Sequence, residues 1–219
     1  ILQECIRDQR EMIESAQIVE RQVCFEPKGN YVFVGIRHSG KSYLLYQRIH
    51  QLLREGHQWD EILFVNFDDE RLAEFNTDDF NILLETHYSQ SPKKPFIFLD
   101  EVQRIPHWEL FARRLVNEKY TVYITGSNAK MLSEEIATTL GGRFFIQYVY
   151  PYSFLEYISA QNIVLSTDWV KSTRKRSEVK RMFDSYFFFG GLPEILDYNE
   201  KRAVLSSLYQ KIYLGDICA

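Results

Sequence analysis

The chain has 219 residues, 45% hydrophobic and 15% aromatic, which is enough apolar material for a sizeable globular core and argues against intrinsic disorder. Its formal net charge of −4 at pH 7 argues against a protein that coats nucleic acid through bulk positive charge. No apolar run approaches the roughly twenty residues of a membrane helix, and the first residues do not form a secretory signal. We therefore expect a cytoplasmic protein without a membrane segment.

Helical and strand patterns alternate along the first two thirds of the chain. A helical pattern runs from Ile6 to Val19, and Pro27 and Gly29 separate it from the first strand-like run. Five strand-like runs follow one another along the chain, and we predict an α/β three-layer sandwich with a parallel five-stranded sheet and helices on both faces. The apolar runs with the length and composition of buried parallel strands are residues 31–34, 62–67, 96–99, 121–126 and 144–149.

A glycine-rich segment, GIRHSGKS at 35 to 42, follows the first predicted strand, precedes an amphipathic helix and has the complete pattern of a phosphate-binding loop. Gly35 and Gly40 allow backbone conformations that a side chain blocks, so successive N–H groups can wrap a phosphate at the positive end of the helix. Lys41 is placed to bridge the outer phosphates, and the Ser42 hydroxyl to join the coordination shell of an accompanying Mg²⁺. An ordinary glycine-containing turn is the alternative. The candidate nucleotide-binding residues are Gly35, Ile36, Arg37, His38, Ser39, Gly40, Lys41, Ser42 and Tyr43.

Two carboxylates end the third predicted strand. Asp100 and Glu101 follow the apolar run from Phe96 to Leu99, at the carboxyl end where α/β proteins place their active-site crevice. The pattern resembles a Walker B strand, in which Asp100 would hold Mg²⁺ through a water and Glu101 would orient and deprotonate the water that attacks the γ-phosphate. A solvated turn before Pro106 is the alternative. The phosphate-binding loop upstream favours the catalytic interpretation.

Short polar residues also follow the fourth predicted strand. Ser127 and Asn128 come directly after the run that ends at Gly126, and they resemble a sensor position. The side chain of Asn128 reaches further and would hydrogen-bond the γ-phosphate or the attacking water. Capping of a following helix, through Leu132 and Ile136, explains both residues equally well.

The order of the motifs resembles that of a known family. A strand-like run separates the phosphate-binding loop from the Walker B strand, which is similar to the additional-strand ATPases. On these motifs the chain is identified as a member of the AAA-type P-loop ATPases, in the prokaryotic group that usually carries a C-terminal restriction-endonuclease-like domain of uncharacterised function. The narrower signature consists of NFDDERL at 66 to 72, ITGSNAKML at 124 to 132, LGGR at 140 to 143, PYSFLE at 151 to 156 and GGLPE at 190 to 194.

The resemblance implies two further site regions. It places Arg143 just before the fifth strand, where an arginine can reach the γ-phosphate of a neighbouring subunit, so Arg143 is the arginine-finger candidate and a homo-oligomer is implied. An ion pair with Glu134 or Glu135 is the alternative. The resemblance also places the acidic residues 68–70 near the nucleotide. Such clusters more often cap a following helix, and Asp68 or Asp69 is well placed to do so before Leu72 and Phe75.

After Pro151 the strand patterns end, and helical patterns appear at residues 154–158, 179–189 and 203–217. We predict that residues 1–150 form the ATPase core with its N-terminal helix, and that residues 151–219 form a small helical lid with Phe187, Phe188 and Phe189 at its centre. The lid is expected to precede a further C-terminal domain. The basic cluster from Lys171 to Arg181 fits a solvated helix face or, alternatively, contact with a phosphate backbone.

Three functions fit these observations, each with ATP and Mg²⁺ as ligands. The first is an Mg²⁺-dependent ATPase whose hydrolysis drives a conformational change in the lid and in an effector domain or partner. The second is a slow nucleotide-gated switch. The third is a small-molecule kinase, which the pair Asp100–Glu101 disfavours because it suits water as the phosphoryl acceptor. DNA and protein both remain open as the partner on which the protein acts.

Overall fold

A computed structural model describes residues 1–126 and 138–212 of the protein. The sheet has the order β2-β3-β4-β1-β5, and all four neighbouring pairs are parallel. The structure thus confirms the predicted parallel five-stranded sheet, with strand ends within one residue of those expected. The strands are β1 (Tyr31–Val34), β2 (Ile62–Asn66), β3 (Phe96–Asp100), β4 (Thr121–Gly126) and β5 (Phe145–Tyr148).

Helices cover both faces of the sheet. Successive residues of a strand point to opposite faces, so Val32 of β1 joins one hydrophobic layer and Phe33 joins the other. The first layer is filled by α3 (Phe80–Tyr88) and α4 (Trp108–Asn117). The second is filled by α2 (Lys41–Arg54), which follows β1 directly after the glycine-rich segment. This arrangement fixes the carboxyl ends of β1, β3 and β4 beside one another.

The N-terminal helix protects one edge of the sheet. Helix α1 (Leu2–Ser15) packs along the edge strand β2, where the buried Gln9 accepts a hydrogen bond from the Asn66 N–H (3.1 Å) and donates one to the Asn66 carbonyl (3.4 Å). A side-chain amide therefore replaces the backbone of a missing neighbour strand. At the other edge, the β5 side chains of Phe145, Ile146 and Tyr148 are exposed.

The described residues form two compact units, and each contains more than one segment of the chain. The predicted division at residue 150 stays a prediction. The first unit comprises residues 1–18, 23–35 and 41–149. The second comprises residues 19–22, residues 36–40 and the described residues from Tyr150 onward. The helices of the second unit are α5 (Phe154–Ala160), α6 (Thr173–Phe189) and α7 (Lys201–Ile212). Across residues 1–126 and 138–212, no helix is both long and apolar enough to span a membrane.

The core of the second unit differs from the predicted one. It consists of Tyr157, Ile158, Val179 and Met182, which pack α5 against α6. The prediction that the phenylalanines at 187–189 form this core is wrong, because Phe187 is 74% and Phe188 is 73% exposed. Three consecutive helical residues span about 200° of the helix surface, so they cannot all face one core. The helix turns Val179 and Met182 inward instead.

Candidate nucleotide-binding site

The glycine-rich segment joins β1 to α2, which is the strand, loop and helix order that the sequence predicts. The left-handed backbone that this turn needs occurs at Gly40, with φ 92°, and at His38, with φ 62°. Of the two glycines predicted to shape the loop, Gly40 has a positive φ and Gly35 does not. The first helical residue after the turn is Lys41, whose N-terminal position in α2 suits anion binding.

Lys41 and Glu101, both in the first unit, form an ion pair. The Lys41 Nζ atom lies 3.8 Å from Glu101 Oε1, and only 3% of the lysine side chain is exposed. A buried ammonium loses hydration and needs anionic partners, which a carboxylate and the phosphates of a nucleotide can supply. The structure therefore brings together two residues that the sequence predicted to act in catalysis.

Asp100 is completely buried at the end of β3. The pKa of Asp100 is raised to about 6. Burial is the largest cause and the negative charge of Glu101 adds to it, while hydrogen bonding from Thr125 and Ser42 and the charge of Lys41 oppose the shift. The Thr125 hydroxyl donates to Asp100 Oδ1. Asp100 and Ser42, the two predicted Mg²⁺ ligands, are therefore neighbours.

Thr125 is a site residue that the sequence reasoning did not single out. Besides donating to Asp100, its Oγ1 accepts a hydrogen bond from the Glu101 N–H at 3.0 Å. One buried hydroxyl thus fixes both acidic residues relative to β4. The sequence signal that could have revealed Thr125 is a polar residue near the end of a buried strand. Thr125 directly follows Ile124, which pairs with Leu99 of β3.

The backbone of Glu101 adopts a conformation that is rare for a residue with a side chain. Its φ of 53° and ψ of 40° lie in the left-handed region, which costs on the order of 1 kcal/mol or more. The Gln103 amide donates to Glu101 Oε2 at 2.6 Å, which orients the carboxylate from the following turn. Strain of this kind is held in place by surrounding contacts, and here Thr125 and Gln103 supply them.

The residues present fit Mg²⁺ and a nucleotide phosphate. Among the described residues, no aligned hydrogen-bond donor reaches Asp100 Oδ2 or the buried Ser39 Oγ. A buried carboxylate oxygen suits a hard cation, and a buried hydroxyl can donate to a phosphate oxygen. Across residues 1–126 and 138–212, no group of three or more His, Cys, Asp and Glu side chains is placed to hold a metal ion. Phosphate and water oxygens are the further ligands that would suit an Mg²⁺ held by Asp100 and Ser42.

The remaining loop residues differ in exposure. Ile36 and Tyr43 are 40% and 50% exposed, and Tyr43 contacts the Tyr46 ring with centroids 5.3 Å apart. His38 lies in the second unit, where its Nδ1 is 2.7 Å from Glu194 Oε2. Glu194 belongs to the GGLPE motif, so the structure connects a motif of the narrower signature with the phosphate-binding loop.

Arg143 lies where the resemblance places it, two residues before β5. It follows Gly141 and Gly142, which have φ values of 60° and 65°, a left-handed turn that only glycines adopt readily. The Arg143 side chain is exposed and forms no ion pair with a carboxylate of the described residues. Its predicted alternative partners, Glu134 and Glu135, lie outside those residues, as do the sensor candidates Ser127 and Asn128.

One of the acidic residues after β2 caps a short helical turn. Asp69 accepts a hydrogen bond from the Arg71 N–H at 3.1 Å and pairs with the Arg71 guanidinium at 2.8 Å. These bonds lower the pKa of Asp69 to about 2. Asp68 pairs with Arg104. The capping interpretation is confirmed for Asp69, which caps the short helical turn Glu70–Leu72.

Comparison with known proteins identifies the family. Residues 28–158 match the family model described as AAA domain, and the chain belongs to this family. An uncharacterized protein of Methanocaldococcus jannaschii is 32% identical over 222 residues, which cover 99% of this chain and 48% of that protein. An uncharacterized protein of Haemophilus influenzae is 33% identical over 190 residues, covering 85% of this chain and 45% of that protein. The chain thus spans about half the length of these curated relatives. The structure of C. elegans PCH-2 aligns with a TM-score of 0.48 at 11% identity, over 96% of this chain and 66% of that one.

Family membership confirms the AAA-type part of the resemblance. It supports a nucleotide-binding, ATPase-like function for the chain. The expected C-terminal restriction-endonuclease-like domain stays a prediction, and so do the individual roles of the site residues.

Proposed function

We propose that the protein is an Mg²⁺-dependent ATPase in which hydrolysis drives a conformational change in a C-terminal effector domain or a partner. The observation that carries this proposal is that Thr125 hydrogen-bonds both the Asp100 carboxylate and the Glu101 N–H, while Lys41 Nζ lies 3.8 Å from the Glu101 carboxylate. Phosphoryl transfer to water requires a cation that binds the phosphates, a carboxylate that binds the metal and a second carboxylate that orients the attacking water.

Each residue has a distinct task in this proposal. The backbone N–H groups of residues 35–42 would bind phosphate, and Lys41 would neutralise charge on the outer phosphates. Asp100 and Ser42 would hold Mg²⁺, which when bound supplies further charge neutralisation at the phosphates. Glu101 would orient the attacking water and accept its proton. Its left-handed backbone and the Gln103 hydrogen bond keep the carboxylate in one orientation before substrate binds.

The order of Asp100 and Glu101 favours hydrolysis over a small-molecule kinase. A kinase needs room for a second substrate hydroxyl where water would otherwise react, whereas Glu101 follows the metal-binding candidate directly, the order typical of water activation. A slow switch would use the same residues for binding with little turnover. Phosphate release therefore separates the three functions, because a kinase releases phosphorylated product instead and a switch releases little of either.

The test is substitution of the proposed base. Glu101→Gln keeps size and hydrogen bonding but removes the proton acceptor, so phosphate release should fall at least about tenfold while ATP affinity persists. Glu74→Gln, an exposed glutamate of the same unit, is the matched control and should retain wild-type turnover. Normal turnover by Glu101→Gln would show that the base lies elsewhere. Phosphorylated product without phosphate release would instead identify a kinase.

A further inference from the structure

Arg21 joins three separate segments of the second unit. Its Nη2 donates to the Ser39 carbonyl of the phosphate-binding loop at 2.7 Å, and its Nη1 donates to the Tyr150 carbonyl at 2.7 Å. The guanidinium carbon also lies 4.9 Å from the centroid of the Tyr152 ring. Arg21 precedes β1, whereas Tyr150 and Tyr152 follow β5. A single side chain therefore ties the loop to chain segments that are distant in sequence.

The bond to the Ser39 carbonyl determines the direction of the next N–H group. In a trans peptide the C=O and the following N–H point in opposite directions, and all the described peptide bonds are trans. With the Ser39 carbonyl held by Arg21, the Gly40 N–H must point away from Arg21. Phosphate-binding loops act through N–H groups turned toward one common centre. Arg21 thus occupies one side of the peptide and leaves the N–H on the other.

Gly40 fits this arrangement for two reasons. Its φ of 92° is strained for any residue with a side chain, and a Cβ atom there would lie 3.2 Å from Arg21 Nη2. The glycine therefore permits the close approach of the guanidinium as well as the backbone turn. The buried Ser39 hydroxyl, which no aligned partner within the described ranges satisfies, lies on the same peptide and is a further donor for a bound anion.

We infer that Arg21 is a positioning residue that fixes the Ser39–Gly40 peptide so that the Gly40 N–H is presented to a nucleotide phosphate. This inference rests on the proposed nucleotide binding. Two carbonyls and an aromatic face surround one guanidinium, and only its planar fork can contact all three at once. Lysine keeps the charge but has no fork, so Arg21→Lys separates positioning from charge. Arg21 does not touch the reacting atoms in this role.

The experiment compares Arg21→Ala, Arg21→Lys and the control Arg7→Met, an exposed arginine of α1, with the wild-type protein. ATP affinity is measured by calorimetry with saturating Mg²⁺, and KM and kcat from phosphate release. We expect both Arg21 variants to bind ATP at least about tenfold more weakly, with kcat at saturating ATP changed less than about twofold. Guanidinium ion added to Arg21→Ala should restore part of the lost affinity. Arg7→Met should behave as wild type.

The outcomes distinguish this inference from the proposed function. If wild type binds ATP and Arg21→Lys binds it equally well, charge alone suffices and the positioning role is overturned. A kcat loss with unchanged affinity would also overturn it. Circular dichroism and thermal unfolding of Arg21→Lys, whose stem keeps the packing of the arginine, identify any folding defect; a folded variant with weakened affinity supports the inference. Absence of ATP binding by the wild type would overturn the proposed function and this inference with it.

Discussion

Replacement of Asp100 by asparagine should stabilise the protein in the absence of ligand. The Asp100 carboxyl is completely buried, and its pKa in the folded protein is about 6 against an ordinary value of 3.8. Because the folded state binds the proton more tightly than the unfolded state, stability falls as the pH rises from about 4 to about 6. A pKa shift of roughly two units corresponds to about 3 kcal/mol in the free energy of unfolding. The ionised carboxylate lowers the stability of the wild type by this amount above pH 6, and Asp100→Asn removes that loss.

The assay is thermal unfolding from pH 4 to pH 8, with EDTA and without nucleotide. For a chain of this size about 3 kcal/mol corresponds to roughly 6 to 12 °C in Tm. Asp100→Asn can still accept the Thr125 hydrogen bond, so it should match the wild type near pH 4 and exceed it by several degrees at pH 8. Asp78→Asn, an exposed aspartate in the same unit, should show no such trend. A Tm difference between Asp100→Asn and wild type that stays constant across this range would refute the assignment of a raised pKa to Asp100.

Two further substitutions test the roles of the basic residues. Lys41→Met should abolish ATP binding measured by calorimetry, because it removes a nearly buried cation from the phosphate-binding loop. Methionine preserves the packing of the lysine stem. Unchanged ATP affinity would contradict the proposed role of Lys41. Arg143→Ala should bind ATP normally but hydrolyse it slowly if the arginine acts on a neighbouring subunit, and wild-type specific activity should rise with protein concentration. Mixing Arg143→Ala with Lys41→Met should then restore turnover, since one subunit binds ATP and the other donates the arginine. No rescue together with a flat concentration profile would assign Arg143 to a structural role.

The sequence alone predicted the strands, the glycine-rich turn and the two acidic residues after β3. These features depend on short-range patterns, since strand burial follows from a few consecutive apolar residues and phosphate binding from a spacing within eight positions. The parallel sheet was predicted from the order of the five strand-like runs and the motifs between them. The same reasoning missed the left-handed backbone of Glu101, because nothing in its neighbours signals a positive φ for a glutamate.

Only the tertiary structure decided which distant residues complete the site. Thr125 reaches Asp100 and Glu101 through the register of β3 against β4. Arg21 reaches Ser39 of the loop, 18 positions away, and Tyr150, 129 positions away. Register and long-range contacts arise from the packing of whole elements, which local periodicity does not encode. The exposed Phe187 is a prediction that failed for the same reason. A hydrophobic run in a helix predicts a core, but the packing of the helix against its neighbours decides which of its residues are buried.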